Sequence, residues 1–150
     1  MESNNPLAHS VIVELKDEGI RITKLRRTII EILAENKRPF SKVEIERSLK
    51  KRKVLPHRTS LYRELEYLSS VDVITPILFN DSSLHYELTD HGHHHHVICT
   101  NCHEVADVDL VRELHNEERR IEAATHFTVT HHSLEFFGLC NACSSAAHLS

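Results

Sequence analysis

The sequence predicts an α+β protein in two parts: a winged helix-turn-helix over residues 1–89, then a small α/β dimerisation domain over residues 90–150 with a four-cysteine zinc site. Three observations carry that prediction. Short amphipathic segments with apolar residues at helical spacing run to about Leu68 and give way to two strand-like runs around a polar turn. Two C-x2-C pairs, Cys99/Cys102 and Cys140/Cys143, supply four thiolates, the full tetrahedral complement of a structural Zn2+. Four consecutive histidines, His93, His94, His95 and His96, lead directly into the first pair through Val97-Ile98.

Taken in order, the elements follow from local chemistry. Residues 1–6 are polar and expected to fray, and an amphipathic helix is predicted from about Leu7 to Glu18, closed by Gly19. Thr23 is placed to cap a second helix, in which Leu25, Ile29, Ile32 and Leu33 recur at helical spacing, and Pro39 is expected to break it. Ser41-Lys-Val-Glu44 has the capping-box pattern that opens a third helix, running to about Lys53 with Ile45 and Leu49 buried. The run Lys50-Lys-Arg-Lys53 suits either a solvated helix end or a phosphate backbone.

After Pro56, Leu61, Leu65 and Leu68 form the buried stripe of a fourth helix. They leave Arg58, Ser60, Tyr62 and Arg63 near its start, where a recognition helix presents side chains to base edges and phosphates. Alone, those residues also describe an ordinary amphipathic helix. The next segment decides: Val71–Phe79 and Leu84–Leu88 read as strands around the turn Asn80-Asp-Ser-Ser83, and a hairpin directly after a recognition helix is a wing.

Asp90-His-Gly92 marks a hinge. Beyond it, strands are predicted at His93–Cys99 and about Glu104–Val108. A helix is predicted at Val111–Ala124 with Leu114 and Ile121 buried, then an alternating strand from Phe127 to Leu139. So few elements cannot bury all their apolar surface, and zinc with an isologous dimer is expected to supply the deficit.

Composition agrees with a bipartite chain. Through Thr75 there are 15 Lys and Arg against 11 Asp and Glu, a balance of +4; the remainder has 3 against 11, a balance of −8, and holds 12 of the 14 histidines. A basic front half suits a polyanion and an acidic, ligand-rich back half suits cations. There is no long apolar run and no secretory pattern, so no membrane association and a reducing, cytoplasmic setting are expected, in which paired cysteines hold metal rather than disulfides. If the histidine run is a strand, alternation sends His93 and His95 to one face and His94 and His96 to the other, so one strand could feed two metal sites.

These motifs together resemble the ferric uptake regulator (Fur) superfamily of bacterial metal-sensing repressors over nearly the whole length. The resemblance is most specific at Gly19-Ile-Arg-Ile-Thr-Lys-Leu-Arg26, Ser60-Leu-Tyr-Arg63, Tyr86-Glu-Leu-Thr89, His93 through Cys102, His132-Ser133 and Gly138-Leu-Cys140. It implies a homodimer whose metal-loaded form binds A·T-rich palindromic operators. It also implies three metal sites: structural zinc at Cys99, Cys102, Cys140 and Cys143; a sensing site at Glu87, His94, His96 and Asp107; and an additional site at His93, His95, His115 and His132. Carboxylates are frequent in the family at the positions of His95 and His115, so the additional site would be rich in imidazole, which suits Zn2+, Fe2+, Ni2+ or Co2+. For the regulatory metal, Fe2+ or Zn2+ leads, with Mn2+ or Ni2+ as alternatives.

One position departs from the resemblance. Many members place a sensing histidine just before the third helix, where this chain has Pro39, so the grip on the DNA-binding domain would fall to Glu87, or to His57 or His85. The departure weakens the alternative of a peroxide-sensing regulator, which resembles relatives that use that histidine. The recognition helix also carries Ser60-Leu61 where Thr-Val is usual. Among other classes, a zinc hydrolase with Glu87 or Glu104 as base lacks an H-E-x-x-H pattern. A thiol oxidoreductase is disfavoured because neither cysteine pair is expected to open a helix after a strand. A metal-storage or chaperone role is the remaining alternative for a histidine-rich chain. The expectation is a transcriptional regulator and not an enzyme.

Overall fold

The computed structural model describes residues 5–36, 38–89, 95–108, 110, 114–130 and 132–147. The chain divides into two compact units, Met1–Asp90 and His91–Ser150.

In the first unit, α1 (Pro6–Asp17) starts at a proline, and the Asn5 side chain accepts hydrogen bonds from the Leu7 and Ala8 amides. It buries Ala8, Val11, Ile12 and Leu15 and closes at Gly19, whose φ of 78° is left-handed. Helix α2 (Lys24–Ala34) is capped by Thr23 and buries Ile29, Ile30, Ile32 and Leu33. Contrary to expectation, Pro39 does not end it. The helix closes at Glu35, where the Asn36 side-chain Nδ2 donates to the Ile32 carbonyl at 2.6 Å, and Pro39 is instead fully buried.

Helix α3 (Lys42–Lys51) opens with the complete Ser41/Glu44 capping box and stops two residues short of the predicted end, at Lys53 with φ of 57°. Burial alone would raise the Glu44 carboxyl, but hydrogen bonds from Arg38 and from the Ser41 backbone and hydroxyl outweigh it and hold the pKa down to about 2. A depressed carboxylate stabilises the fold above its unfolded pKa. Acid titration is therefore expected to erode this contribution as pH falls from about 4.5 toward about 2, and Glu44→Gln should flatten that limb of the stability–pH curve. An unchanged acid limb in the variant would refute the assignment.

Helix α4 (Arg58–Ser70) buries Leu61, Leu65 and Leu68 as predicted. The strand predicted from Val71 starts at Ile74, because residues 71–73 form the turn that leaves α4, with Asp72 at φ of 54°. Strand β2 (Ile74–Leu78) pairs antiparallel with β3 (Leu84–Leu88), and β3 also pairs with an unpredicted two-residue strand β1 (Phe40–Ser41), giving the order β1-β3-β2. Pro76 is tolerated because β2 is an edge. All four helices and the sheet contribute to one core, in which Ile29, Ile45, Leu49, Leu68 and Ile74 are essentially inaccessible.

In the second unit, β4 (His95–Cys99) is central. It pairs antiparallel with β5 (Val105–Val108) and parallel with β6 (Glu135–Gly138). Three expectations need correction. The strand predicted over Phe127–Leu139 shrinks to Glu135–Gly138, the four residues that reach β4. The predicted helix begins at His115, and α5 (His115–Thr125) buries nothing: Leu114 is half-buried and Ile121 is 51% exposed. Residues 111–113 lie outside the described residues. A second helix of this unit, α6 (Asn141–Ala147), has no counterpart among the expected elements. Within a single chain this unit buries Ile98 and Cys99 while Val97, Phe127, Phe136, Phe137 and Leu139 remain exposed. Helical periodicity marks Ile121 as apolar-facing, but no layer among the described residues covers it.

Candidate metal centre and nucleic-acid interface

The two cysteine pairs come from different parts of the sheet and converge. Strand β4 delivers Cys99 at its end, and a tight turn with His103 in the left-handed region carries Cys102 back beneath it, fixed by Cys99 N–H to Glu104 carbonyl at 2.8 Å. Strand β6 leads to Cys140, and α6 supplies Cys143. All four sulfurs lie within 4.8 Å of one another, and Cys102 Sγ is 3.7 Å from Cys140 Sγ. A tetrahedral Zn2+ with Zn–S bonds of about 2.3 Å requires sulfur–sulfur edges of about 3.8 Å. The donor set therefore fits a structural zinc ion, and among the described residues it is the group of metal-ligating side chains gathered this closely.

Backbone amides of Cys102, Cys140 and Asn101 lower the Cys99 thiol to about 6. The other three thiols are pushed up. At Cys102 the Glu104 amide lowers the value, but the Cys99 sulfur and burial outweigh it. One thiolate is thus prepared and the remaining protons are left for a cation to displace. The expectation that neither pair opens a helix after a strand fails for Cys140, which sits between β6 and α6. Redox chemistry is still poorly served, because the thiol most easily ionised, Cys99, is buried, whereas an attacking thiolate needs access.

His93 and His94 lie outside the described residues. Of the others, His95 and His96 are both buried, yet they have different neighbours. His95 Nδ1 lies 3.2 Å from the Leu134 carbonyl, and its ring centroid is 5.6 Å from that of His132. His96 faces Asp107 across the β4–β5 ladder, with Nε2 3.9 Å from Oδ1. His115 and His132 are brought together by Glu118, whose two carboxylate oxygens lie 3.2 Å and 2.7 Å from their respective Nδ1 atoms. Glu118 was not singled out from the sequence, although its place one helical turn after His115 is a usable signal.

In the first unit, Glu87 lies on β3 opposite Thr75. The two alternative donors there are engaged elsewhere: His57 caps α4, and His85 stacks on Phe79 with centroids 3.7 Å apart. At the start of α4, Arg58, Ser60 and Arg63 are exposed and Tyr62 is half-buried. Tyr62 is held between two cations. Lys42 Nζ, from the first turn of α3, stands 3.5 Å from its ring centroid, and Arg58 donates to its hydroxyl at 3.4 Å. Lys42 and then Arg58 lower the phenol below its ordinary pKa. Lys42 escaped the sequence reading because only the packing of α3 beside α4 reveals it. Of the basic run at the end of α3, Arg52 is tied to Glu35 and Glu31, a structural role, while Lys50, Lys51 and Lys53 are exposed.

The model of the ferric uptake regulator family matches residues 17–137. The sequence is 29% identical to the peroxide-responsive repressor PerR of Staphylococcus saprophyticus over 132 residues, 88% of either chain. The fold is similar to that of the Helicobacter pylori ferric uptake regulator Fur, with a TM-score of 0.73 and 22% identity over 93% of this chain and 95% of that one. It is also similar to Vibrio cholerae Fur, with a TM-score of 0.66 and 26% identity over 85% of this chain and 98% of that one. Since the family match begins in α1 and extends into β6, through both units and the first cysteine pair, the chain belongs to the ferric uptake regulator family of metal-responsive regulators.

Proposed function

We propose that the chain is a metal-dependent transcriptional repressor of metal-uptake or homeostasis genes, acting in the cytoplasm as a homodimer on an A·T-rich palindromic operator. The observation that carries this reading is helix α4, which buries Leu61, Leu65 and Leu68 and turns Arg58, Ser60, Tyr62 and Arg63 outward directly before the β2–β3 wing. Zn2+ at the four cysteines is the structural ion. A regulatory divalent cation, Fe2+ or Zn2+ ahead of Mn2+ or Ni2+, is taken by Glu87, His94, His96 and Asp107, and a further one by His93, His95, His115 and His132. Three sites also accord with the H. pylori Fur structure, described as revealing three functional metal-binding sites. Metal favours the dimer geometry that places two recognition helices in successive major grooves, and a preference of a few kcal/mol moves the population decisively.

The decisive measurement is operator binding titrated against Fe2+, Mn2+, Zn2+ and Ni2+ at buffered free concentrations; metal-independent binding, or none, refutes the reading, and binding of many cations without DNA indicates storage. Arg63→Ala is expected to weaken operator binding by about 1–3 kcal/mol and to relax preference at one base per half-site. Lys42→Met should weaken all sequences alike and flatten the salt dependence. Unchanged affinity in the Arg63 variant would mean that the recognition surface lies elsewhere.

His96→Ala is expected to leave the thiolate-bound zinc and the dimer intact while removing the metal-induced gain in operator affinity, about 1–3 kcal/mol in typical systems. His95→Ala should lower metal content or stability with a smaller effect on the switch. The reverse pattern would exchange the two assignments. A second reading, a peroxide-responsive regulator, is favoured by the likeness to S. saprophyticus PerR. Against it stands Pro39, fully buried where many members carry a sensing histidine. Loss of operator binding after peroxide treatment of the Fe2+-loaded protein, but not of the Zn2+-loaded protein, would select it.

A further inference from the structure

The four sulfurs of the metal centre do not receive their hydrogen bonds in the same way. Cys99 accepts from the Cys140 amide, with N to Sγ at 3.4 Å, and from the amides of Cys102 and Asn101. Cys102 accepts from the Glu104 amide, and Cys140 from the Cys143 amide. For these three the backbone supplies the donor, whatever side chain stands there. Cys143 is placed differently, because it lies inside α6. The Ser144 amide donates to the Cys140 carbonyl at 2.8 Å, and the amides that follow belong to the helix's own ladder. They point along the helix and away from the Cys143 sulfur. Apart from neighbouring thiols, whose protons an incoming cation displaces, its donor among the described residues is a side chain. Asn101 Nδ2 lies 3.2 Å from Cys143 Sγ, across 42 residues of sequence.

Four thiolates around one Zn2+ leave an excess of about two negative charges. Donors aimed at the sulfurs disperse that charge, and outer partners of this kind orient the ligands they touch. Asn101 is well placed for the task. It sits in the turn between Cys99 and Cys102, it is exposed, and its carboxamide nitrogen carries two protons. The same turn is anchored to β6 without it, since Thr100 donates to the Gly138 carbonyl through its amide at 2.8 Å and its hydroxyl at 3.2 Å. We propose that Asn101 is the positioning residue of the four-cysteine site, its side-chain amide holding the Cys143 sulfur in place and shielding it from attack. The ligand carried by α6 is thereby held as firmly as the three served by the backbone. This inference rests on the assignment of zinc to these cysteines made above.

The test uses the full zinc-loaded chain and two readouts. One is zinc affinity in competition with a chromophoric chelator. The other is the rate at which iodoacetamide alkylates each cysteine, read by peptide mass spectrometry. In the wild-type chain the exposed Cys102 should react ahead of the half-buried Cys143. Asn101→Leu, which keeps the shape and removes the donor, is expected to weaken zinc binding about 10–100-fold and to make Cys143 the first to react. Asn101→Asp should weaken it further, because a carboxylate only accepts and repels the thiolate. Thr100→Val removes a tie of the same turn but no donor to sulfur, and should leave both readouts close to wild type. Unchanged zinc affinity or an unchanged order of alkylation in Asn101→Leu would overturn the proposal, as would Cys143 reacting first in the wild-type chain. An equal loss in Thr100→Val, or an equal acceleration at all four cysteines, would also overturn it, since Asn101 would then be a structural tie alone. A wild-type chain that holds no zinc, or holds it as firmly after Cys143→Ser, would overturn the zinc assignment itself and this inference with it.

Discussion

Replacing Cys99 or Cys143 by serine is expected to remove zinc and dimer together. Among the described residues, the C-terminal unit buries only His95, His96, Ile98 and Cys99 within one chain, and the four sulfurs join the turn after β4 to the start of α6. With so small a core, metal binding is folding free energy, of the order of about 10–16 kcal/mol for structural zinc in small domains, and most of it depends on a complete thiolate set. Metal analysis with sedimentation of the purified variant checks the prediction: wild-type protein should hold about one tightly bound Zn2+ per chain and the variants none, with a monomeric or aggregated C-terminal unit. A stable, zinc-free dimer that binds operator normally would refute it. Zinc affinity should also rise with pH through neutrality. Cys99 already ionises near 6, but the other three thiols, pushed up, must lose their protons to the incoming ion.

Leu65→Ala is expected to cost the N-terminal unit about 2–5 kcal/mol and to abolish operator binding at 37 °C. Leu65 is 2% exposed on α4, the helix that carries Arg58, Ser60, Tyr62 and Arg63. Truncation leaves a cavity beneath those residues, and a unit of ordinary marginal stability loses much of its margin. The adjacent Glu66 is exposed, so Glu66→Ala should shift stability by less than about 0.5 kcal/mol. Denaturant unfolding of the two variants provides the comparison. Zinc content should be unaffected in both, because the thiolates belong to the other unit. A Leu65 variant as stable as the wild type would mean that α4 does not anchor the core.

What was legible from the sequence was what local chemistry decides. The caps at Thr23 and Ser41, the left-handed closure at Gly19 and the Leu61/Leu65/Leu68 stripe each depend on residues within a turn or two, and each appears where the pattern placed it. The cysteine pairs were legible because four thiolates at that spacing have little other use, and the resemblance to the family rested on the same motifs. Boundaries were less secure. Pro39 predicts a helix break, whereas the Asn36 side chain satisfies the Ile32 carbonyl and α2 closes before the proline is reached.

Only the tertiary structure decided which distant groups meet. Strand β1 has two residues and no pattern of its own, and it exists because β3 offers Phe40 and Ser41 a ladder. The long strand read into Phe127–Leu139 is limited to four residues by the reach of β4. Lys42 stands over Tyr62 because α3 packs beside α4, and Glu118 joins His115 to His132 because α5 lies against the segment before β6. Ile121 kept the periodicity of a buried residue and yet is exposed. Periodicity reports which face of an element is apolar, from interactions a few residues apart, whereas the partner of that face is chosen by the packing of the whole chain.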